Sequence, residues 1–200
     1  DSAYGIQEGE MFEDSPVDPI SLYARLKMEA EGELLALQTD AFHPTVLRMA
    51  TIYGYSPRMR FDLVINILSL HAWANGRIKV FGGEQWRPLV HVEDAARAYV
   101  MALDAEVERV AGEVFNVGSN EQNFQVGTLG EMVAEVFPGL EIETIPEAPD
   151  LRDYRVNFDK IKRVLGYEVQ WQIPAGIAGI RDALDQGLIA SYEDRKYYNA

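Results

Sequence analysis

Leu22, Leu26, Ala30, Leu34 and Leu37 recur three and four residues apart, the spacing that lines one side of a helix, and they predict a helix over residues 21–39. The preceding residues 1–20 show no period. They carry Glu8, Glu10, Glu13 and Asp14 with two prolines, and they read as a loop. The stretch 44–52, Pro-Thr-Val-Leu-Arg-Met-Ala-Thr-Ile, closed by Tyr53-Gly54, reads as a buried strand. Beyond a loop containing Pro57, Arg58 and Arg60, a helix is expected over about 62–74, ended by the turn signal Asn75-Gly76. Short extended pieces follow at 78–81 and 86–91, then a helix over 93–105 and a buried strand at 114–118. Thr128-Leu129-Gly130-Glu131 has the form of a capping box and predicts a helix running to Phe137. A strand at 141–145 and a helix at 158–165, stopped by Gly166, come next. The last helix has Pro174 in its first turn and closes near Gly187. Strands alternating with helices imply an α/β fold with a parallel sheet.

Composition narrows the picture. The 200 residues are 48% hydrophobic, enough for a real core in one or two domains. The net charge of -14 and the lack of a basic run argue against a nucleic-acid partner. There is no cysteine, hence no disulfide framework and no thiolate metal site, which fits a cytoplasmic protein. His43, His71 and His91 are isolated from one another, so no metal site is expected. His91 reads as structural, Glu93 and Asp94 as helix-start acids, and Trp86 as a packing residue. The most apolar run, 63–74, contains Asn66, Ser69 and His71 and is too short to span a bilayer.

The candidate chemistry lies on the first helix. Tyr23 and Lys27 are four residues apart, one turn apart on the same face. An ammonium beside a phenol favours the phenolate, and such a tyrosine can carry protons. The pattern Tyr-x-x-x-Lys alone is common. Its weight comes from the motifs around it: Tyr4-Gly5, Pro16 and Pro19, then Tyr23 and Lys27. Arg48 and Tyr53-Gly54 follow, then Arg87-Pro88-Leu89-Val90-His91-Val92-Glu93-Asp94-Ala95, and last Phe115-Asn116-Val117-Gly118.

In that order these motifs resemble the extended short-chain dehydrogenase/reductases, specifically the nucleotide-sugar epimerases and dehydratases. The resemblance implies the C-terminal half of a Rossmann-type parallel sheet plus a smaller α+β substrate-binding domain. Residues 1–54 and 90–118 would belong to the first, 55–89 and 119–200 to the second. It implies NAD, or NADP, as cofactor and a nucleotide-diphosphate sugar as substrate. Tyr23 would transfer the proton, Lys27 would hold the nicotinamide ribose, and Ala50-Thr51 would lie by the nicotinamide and the sugar. Asp62, Leu63, Lys79, Val80 and Phe81 would line the nucleotide pocket, and Arg87 would grip the diphosphate. A homodimer through helix 21–39 is expected by the same likeness.

The sequence also departs from the family pattern. No Gly-rich pyrophosphate turn occurs, and the family's catalytic Ser or Thr would fall one residue before Asp1, so the chain reads as the C-terminal part of a longer enzyme, inactive alone. Leu26, Thr51 and Glu147 stand where many members carry Ser, Asn and Arg. The 4,6-dehydratases place an acidic pair where this chain has Asp1 and Ser2. The expected activity is therefore epimerase-like: transient NAD-dependent oxidation at a sugar carbon with tyrosine as proton carrier. The alternatives are a 4,6-dehydratase, a keto-sugar reductase, or a non-catalytic sugar-nucleotide binding module.

Overall fold

In the computed structural model, which describes residues 3–147, 152–189 and 191–199, the apolar run after residue 44 becomes two consecutive strands. These are β2 (Val46–Met49) and β3 (Thr51–Tyr53), divided at Ala50. The break lets one extended segment change partner. β2 runs parallel to β6 (Val114–Val117), and the Ala50 N–H still donates to the Val117 carbonyl at 2.9 Å. From Thr51 onward β3 runs parallel to β5 (Trp86–His91). β5 in turn pairs antiparallel with β7 (Asn123–Gln125), and β4 (Arg77–Phe81) runs parallel to β8 (Glu141–Ile145). The parallel α/β fold expected from the alternation is present.

Residues 6–11, expected as loop, form β1 (Ile6–Met11), parallel to β9 (Asp153–Val156). The sequence Ile-Gln-Glu-Gly-Glu-Met hides this strand. Its apolar residues stand only at the ends, Gly9 sits in the middle at φ +95, and its partner is remote in sequence.

Two cores fill the layers. One gathers α2 (Val64–Asn75), α5 (Val126–Val136) and α7 (Ile173–Asp185) over Ile78, Val80 and Leu89. The other surrounds Phe115 and Val117 with Tyr4, Ala50, Val90 and Phe158. Ala95 and Ala98 of α3 (Val92–Asp104), Val110 of α4 (Val107–Val110) and Ile161 of α6 (Asp159–Leu165) close it. Gly166 ends α6 in the left-handed conformation, and Pro174 opens α7, both as the sequence indicates.

The capping box expected at Thr128 does not form. Helix α5 starts two residues earlier, because carbonyls of the distant turn between β4 and β5 already satisfy its first N–H groups: Gln85 receives Val126 at 3.1 Å and Gly83 receives Gly127 at 2.8 Å.

His91 has a structural place. Its Nδ1 accepts the Glu93 N–H at 3.3 Å, capping α3, while its ring stacks on Trp171 at 4.1 Å and meets the Tyr53 ring edge-on. Burial lowers its proton affinity. Gly54 must be glycine here, since its φ is +106 and a Cβ would lie 2.3 Å from His91 Nε2. Asp94 does more than start a helix. Its buried carboxylate accepts the N–H groups of Gln170 and Trp171 at 3.0 Å and pairs with Arg97, tying α3 to the chain before α7.

Candidate active site

The helix carrying Tyr23 and Lys27 is α1 (Leu22–Ala36). Ser21 starts it by accepting the Ala24 N–H on its side-chain oxygen at 3.1 Å. It stops at Ala36, three residues short of the expected end. Its apolar stripe meets no core of the described residues: Ala24 is the one residue of α1 that is buried, and Leu22, Leu26 and Leu34 are exposed. Tyr23 is 65% exposed, and the Lys27 ammonium stands 5.8 Å from its ring centroid. No hydrogen bond or ion pair engages Lys27 among the described residues, so its donors face outward.

Since packing does not seat this helix, polar bonds do. Glu31 lies one turn past Lys27 and takes both Nε and Nη2 of Arg48, at 3.0 and 2.6 Å. Arg48 Nη1 donates to the Tyr4 hydroxyl at 2.9 Å and to the Glu13 carbonyl at 3.1 Å. The Tyr4 hydroxyl donates to Asn116 Oδ1 at 2.7 Å. One hydrogen-bonded chain thus runs from Asn116 of β6 through Tyr4 and Arg48 to Glu31 of α1. Burial alone would weaken the Arg48 charge, but the bonds to Glu31 and Tyr4 outweigh it and hold the guanidinium above its usual range. Burial pushes the Tyr4 phenol up, against the pull of Arg48.

A second charged group stands near Tyr23. Arg60 and Asp62 form a bidentate pair at 2.7 and 2.5 Å. The hydrogen bond to Asp62 strengthens the Arg60 charge, and the Tyr23 phenol is near enough to add to that effect. Desolvation works against the Asp62 carboxylate, yet Arg60 holds it below its ordinary range. Leu63 supplies the N-cap position of α2. Ala50 is buried against Gly118 where β2 changes partner, and Thr51 is half-buried at the start of β3.

The other residues singled out in the sequence lie on β4 and β5. Alternation along β4 sends Lys79 outward, 3.5 Å from Glu143, and Val80 into the core against α5, so Val80 can line a site only through its backbone. Phe81 is exposed at the strand end. Arg87 is buried, with Nη1 donating to the carbonyls of Trp86 and Arg152, and the Arg155 guanidinium lies 5.3 Å over the Trp86 ring. Asp1, Ser2 and the position before Asp1 lie outside the described residues. Among the described residues no group of acids and histidines has metal-binding geometry, and no helix is long and apolar enough to cross a membrane.

Parallel strands interleaved with helices, with a Tyr–Lys pair on a helix tied to β2 through Glu31 and Arg48, define a Rossmann-type α/β protein. The profile of the NAD dependent epimerase/dehydratase family matches residues 1–118, and the chain belongs to that family. It is 26% identical to the dTDP-glucose 4,6-dehydratase of Shigella flexneri over 169 residues, covering 80% of this chain and 46% of that protein. With the UDP-glucose 4-epimerase of Lactobacillus helveticus it shares 29% identity over 135 residues, or 59% of this chain and 41% of that one. Among solved structures, MoeE5 in complex with UDP-glucuronic acid and NAD superposes with a TM-score of 0.79 at 27% identity, over 93% of this chain and 62% of that chain. The UDP-glucose 4-epimerase of Thermotoga maritima, solved with UDP-glucose, gives 0.77 at 26% identity, over 94% and 60%. The chain therefore spans about half the length of the curated relatives it matches (46% and 41%).

Proposed function

We propose that the protein acts on a nucleoside-diphosphate sugar, oxidising one sugar carbon and reducing it again as an epimerase does, with Tyr23 as the proton carrier. The observation that carries this reading is the open Tyr23–Lys27 pair, 5.8 Å from ammonium to ring centroid. Lys27 has unengaged donors suited to the ribose hydroxyls of a dinucleotide. The nicotinamide end of NAD thus fits residues present here, whereas no Gly-rich turn for its pyrophosphate occurs in the sequence. NAD, when bound, supplies the acceptor for the hydride of the sugar C–H and returns it. Tyr23 Oη takes the proton of the adjacent hydroxyl, leaving a keto sugar, and gives it back after the ring has turned its other face. The Lys27 ammonium stands 5.8 Å from the centre of that phenol ring. Ala50 and Thr51 border the reacting carbon. Leu63, Lys79 and Phe81 hold the nucleotide with the backbone of Val80, Asp62 keeps Arg60 in place, and Arg87, released from the carbonyls of Trp86 and Arg152, grips the diphosphate.

The likeness to a dTDP-glucose 4,6-dehydratase favours a second reading, loss of water from the sugar. Against it, Ser2 stands where those enzymes use a glutamate to take the C5 proton, and an unassisted hydroxyl is too weak a base for that task. Incubating the full-length protein and NAD with a panel of UDP- and dTDP-hexoses decides between them by mass spectrometry and sugar analysis. An isomer of unchanged mass supports the epimerase. A product lighter by one water establishes the dehydratase instead, and no conversion of any hexose overturns both.

The exposed leucines of α1 are the surface we assign to pairing with a second copy, helix against helix. Light scattering of the full-length protein at micromolar concentration is expected to give twice the monomer mass; a clean monomer refutes the pairing.

A further inference from the structure

The C-terminal segment folds back onto the loop that carries Arg60. Asp194 caps a short turn, Arg195–Tyr197, by accepting the Lys196 N–H at 3.0 Å. The buried Tyr197 then accepts the Phe61 N–H on its carbonyl at 2.9 Å, and its ring meets the fully buried Phe61 edge-on at 5.9 Å. Tyr198 packs against Phe61 at 6.2 Å. This anchor delivers Asn199 to the Arg60–Asp62 pair. The amide has one productive orientation there, oxygen toward the guanidinium, and that oxygen accepts from Nη1 at 3.0 Å and Nη2 at 3.1 Å.

A guanidinium has five N–H donors. Asp62 takes two of those of Arg60 and Asn199 takes two more. One Nη1–H is left without a partner among the described residues, on a side chain that is 33% exposed. A cation held at four points has little rotamer freedom left to lose when a ligand arrives at the fifth.

We infer that Asn199 is a positioning residue, which holds Arg60 so that its remaining Nη1 donor meets an oxygen of the sugar lying against Tyr23. This rests on the nucleotide-sugar reading above. It makes the C-terminal segment part of the wall that reads the sugar, leaving the nucleotide to residues elsewhere.

The test measures binding of two probes, UDP-glucose and UDP, to the full-length protein by calorimetry. Asn199→Leu keeps the volume and removes the acceptor, while Arg60→Lys keeps the charge and removes the fork. Both variants are expected to bind UDP-glucose about five- to tenfold more weakly, the scale of one mispositioned charged hydrogen bond, and UDP within about twofold of wild type. The melting temperature of Asn199→Leu should stay within about 2 °C, because the tail remains anchored through Tyr197 and loses only an exposed contact. Equal losses on UDP and UDP-glucose, or no loss on either, overturn the inference and leave the function standing. A wild-type protein that binds neither probe overturns the UDP-sugar reading and this inference with it.

Discussion

Replacing Arg48 with methionine is expected to cost about 3–5 kcal/mol of folding stability, the range for removing one member of a buried ion pair. The Arg48 and Glu31 side chains are only 10% and 12% exposed, so the loss strands the Glu31 carboxylate in a poorly solvated place. It also removes a donor from the Tyr4 hydroxyl and from the Glu13 carbonyl. The size of the effect follows from how little else holds α1, whose one buried residue is Ala24. Urea denaturation of the full-length protein measures it, and a cost below about 1 kcal/mol would show that the pair behaves like a surface ion pair. Replacing both partners, Arg48→Met with Glu31→Leu, should recover much of the stability, since no charge is then left stranded.

Tyr23→Phe is expected to lower turnover by about 10²- to 10⁴-fold, the usual worth of a positioned acid–base group. Stability should change little, because the side chain is 65% exposed and makes no hydrogen bond among the described residues. Binding of a sugar nucleotide should be nearly unchanged for the same reason. The two variants separate two roles of one helix: Arg48 seats it and Tyr23 uses the seat. Turnover of Tyr23→Phe within tenfold of the parent removes the tyrosine from the mechanism.

The parts of this fold written locally are the parts the sequence shows. Gly166 stops α6 because only glycine takes the left-handed cap without strain, and Pro174 opens α7 because its missing N–H is not needed there. The hydrophobic alternation along β4 is equally plain. What depends on distant partners is hidden. Helix α5 begins before its apparent capping box because the carbonyls of Gly83 and Gln85 do the capping. The regular leucines of α1 predict a helix and say nothing of what it packs on; they face no core of the described residues. At the candidate site, Tyr23 and Lys27 stand out because four residues make one helical turn. The Arg60–Asp62 pair needed Asn199 from the other end of the chain to become more than two loop charges. Arg48 was visible as one residue in an ordered set of motifs, but its partners Glu31 and Tyr4 lie 17 and 44 residues away and no pattern announces them.

The pairing of β1 with β9 bears on how the molecule is made. Ile6 faces Asp153, and closing so long a loop costs conformational entropy before any hydrogen bond repays it. During synthesis at roughly 5–20 residues per second, β1 waits about 7–30 s for its partner to be polymerised. A strand edge left bare that long invites pairing with other chains. Gly9 and Glu10 guard against it, since glycine weakens the extended state and the charge of Glu10 repels its like on a second copy. The composition that made this strand unreadable is also what lets it stay single until the rest of the chain arrives.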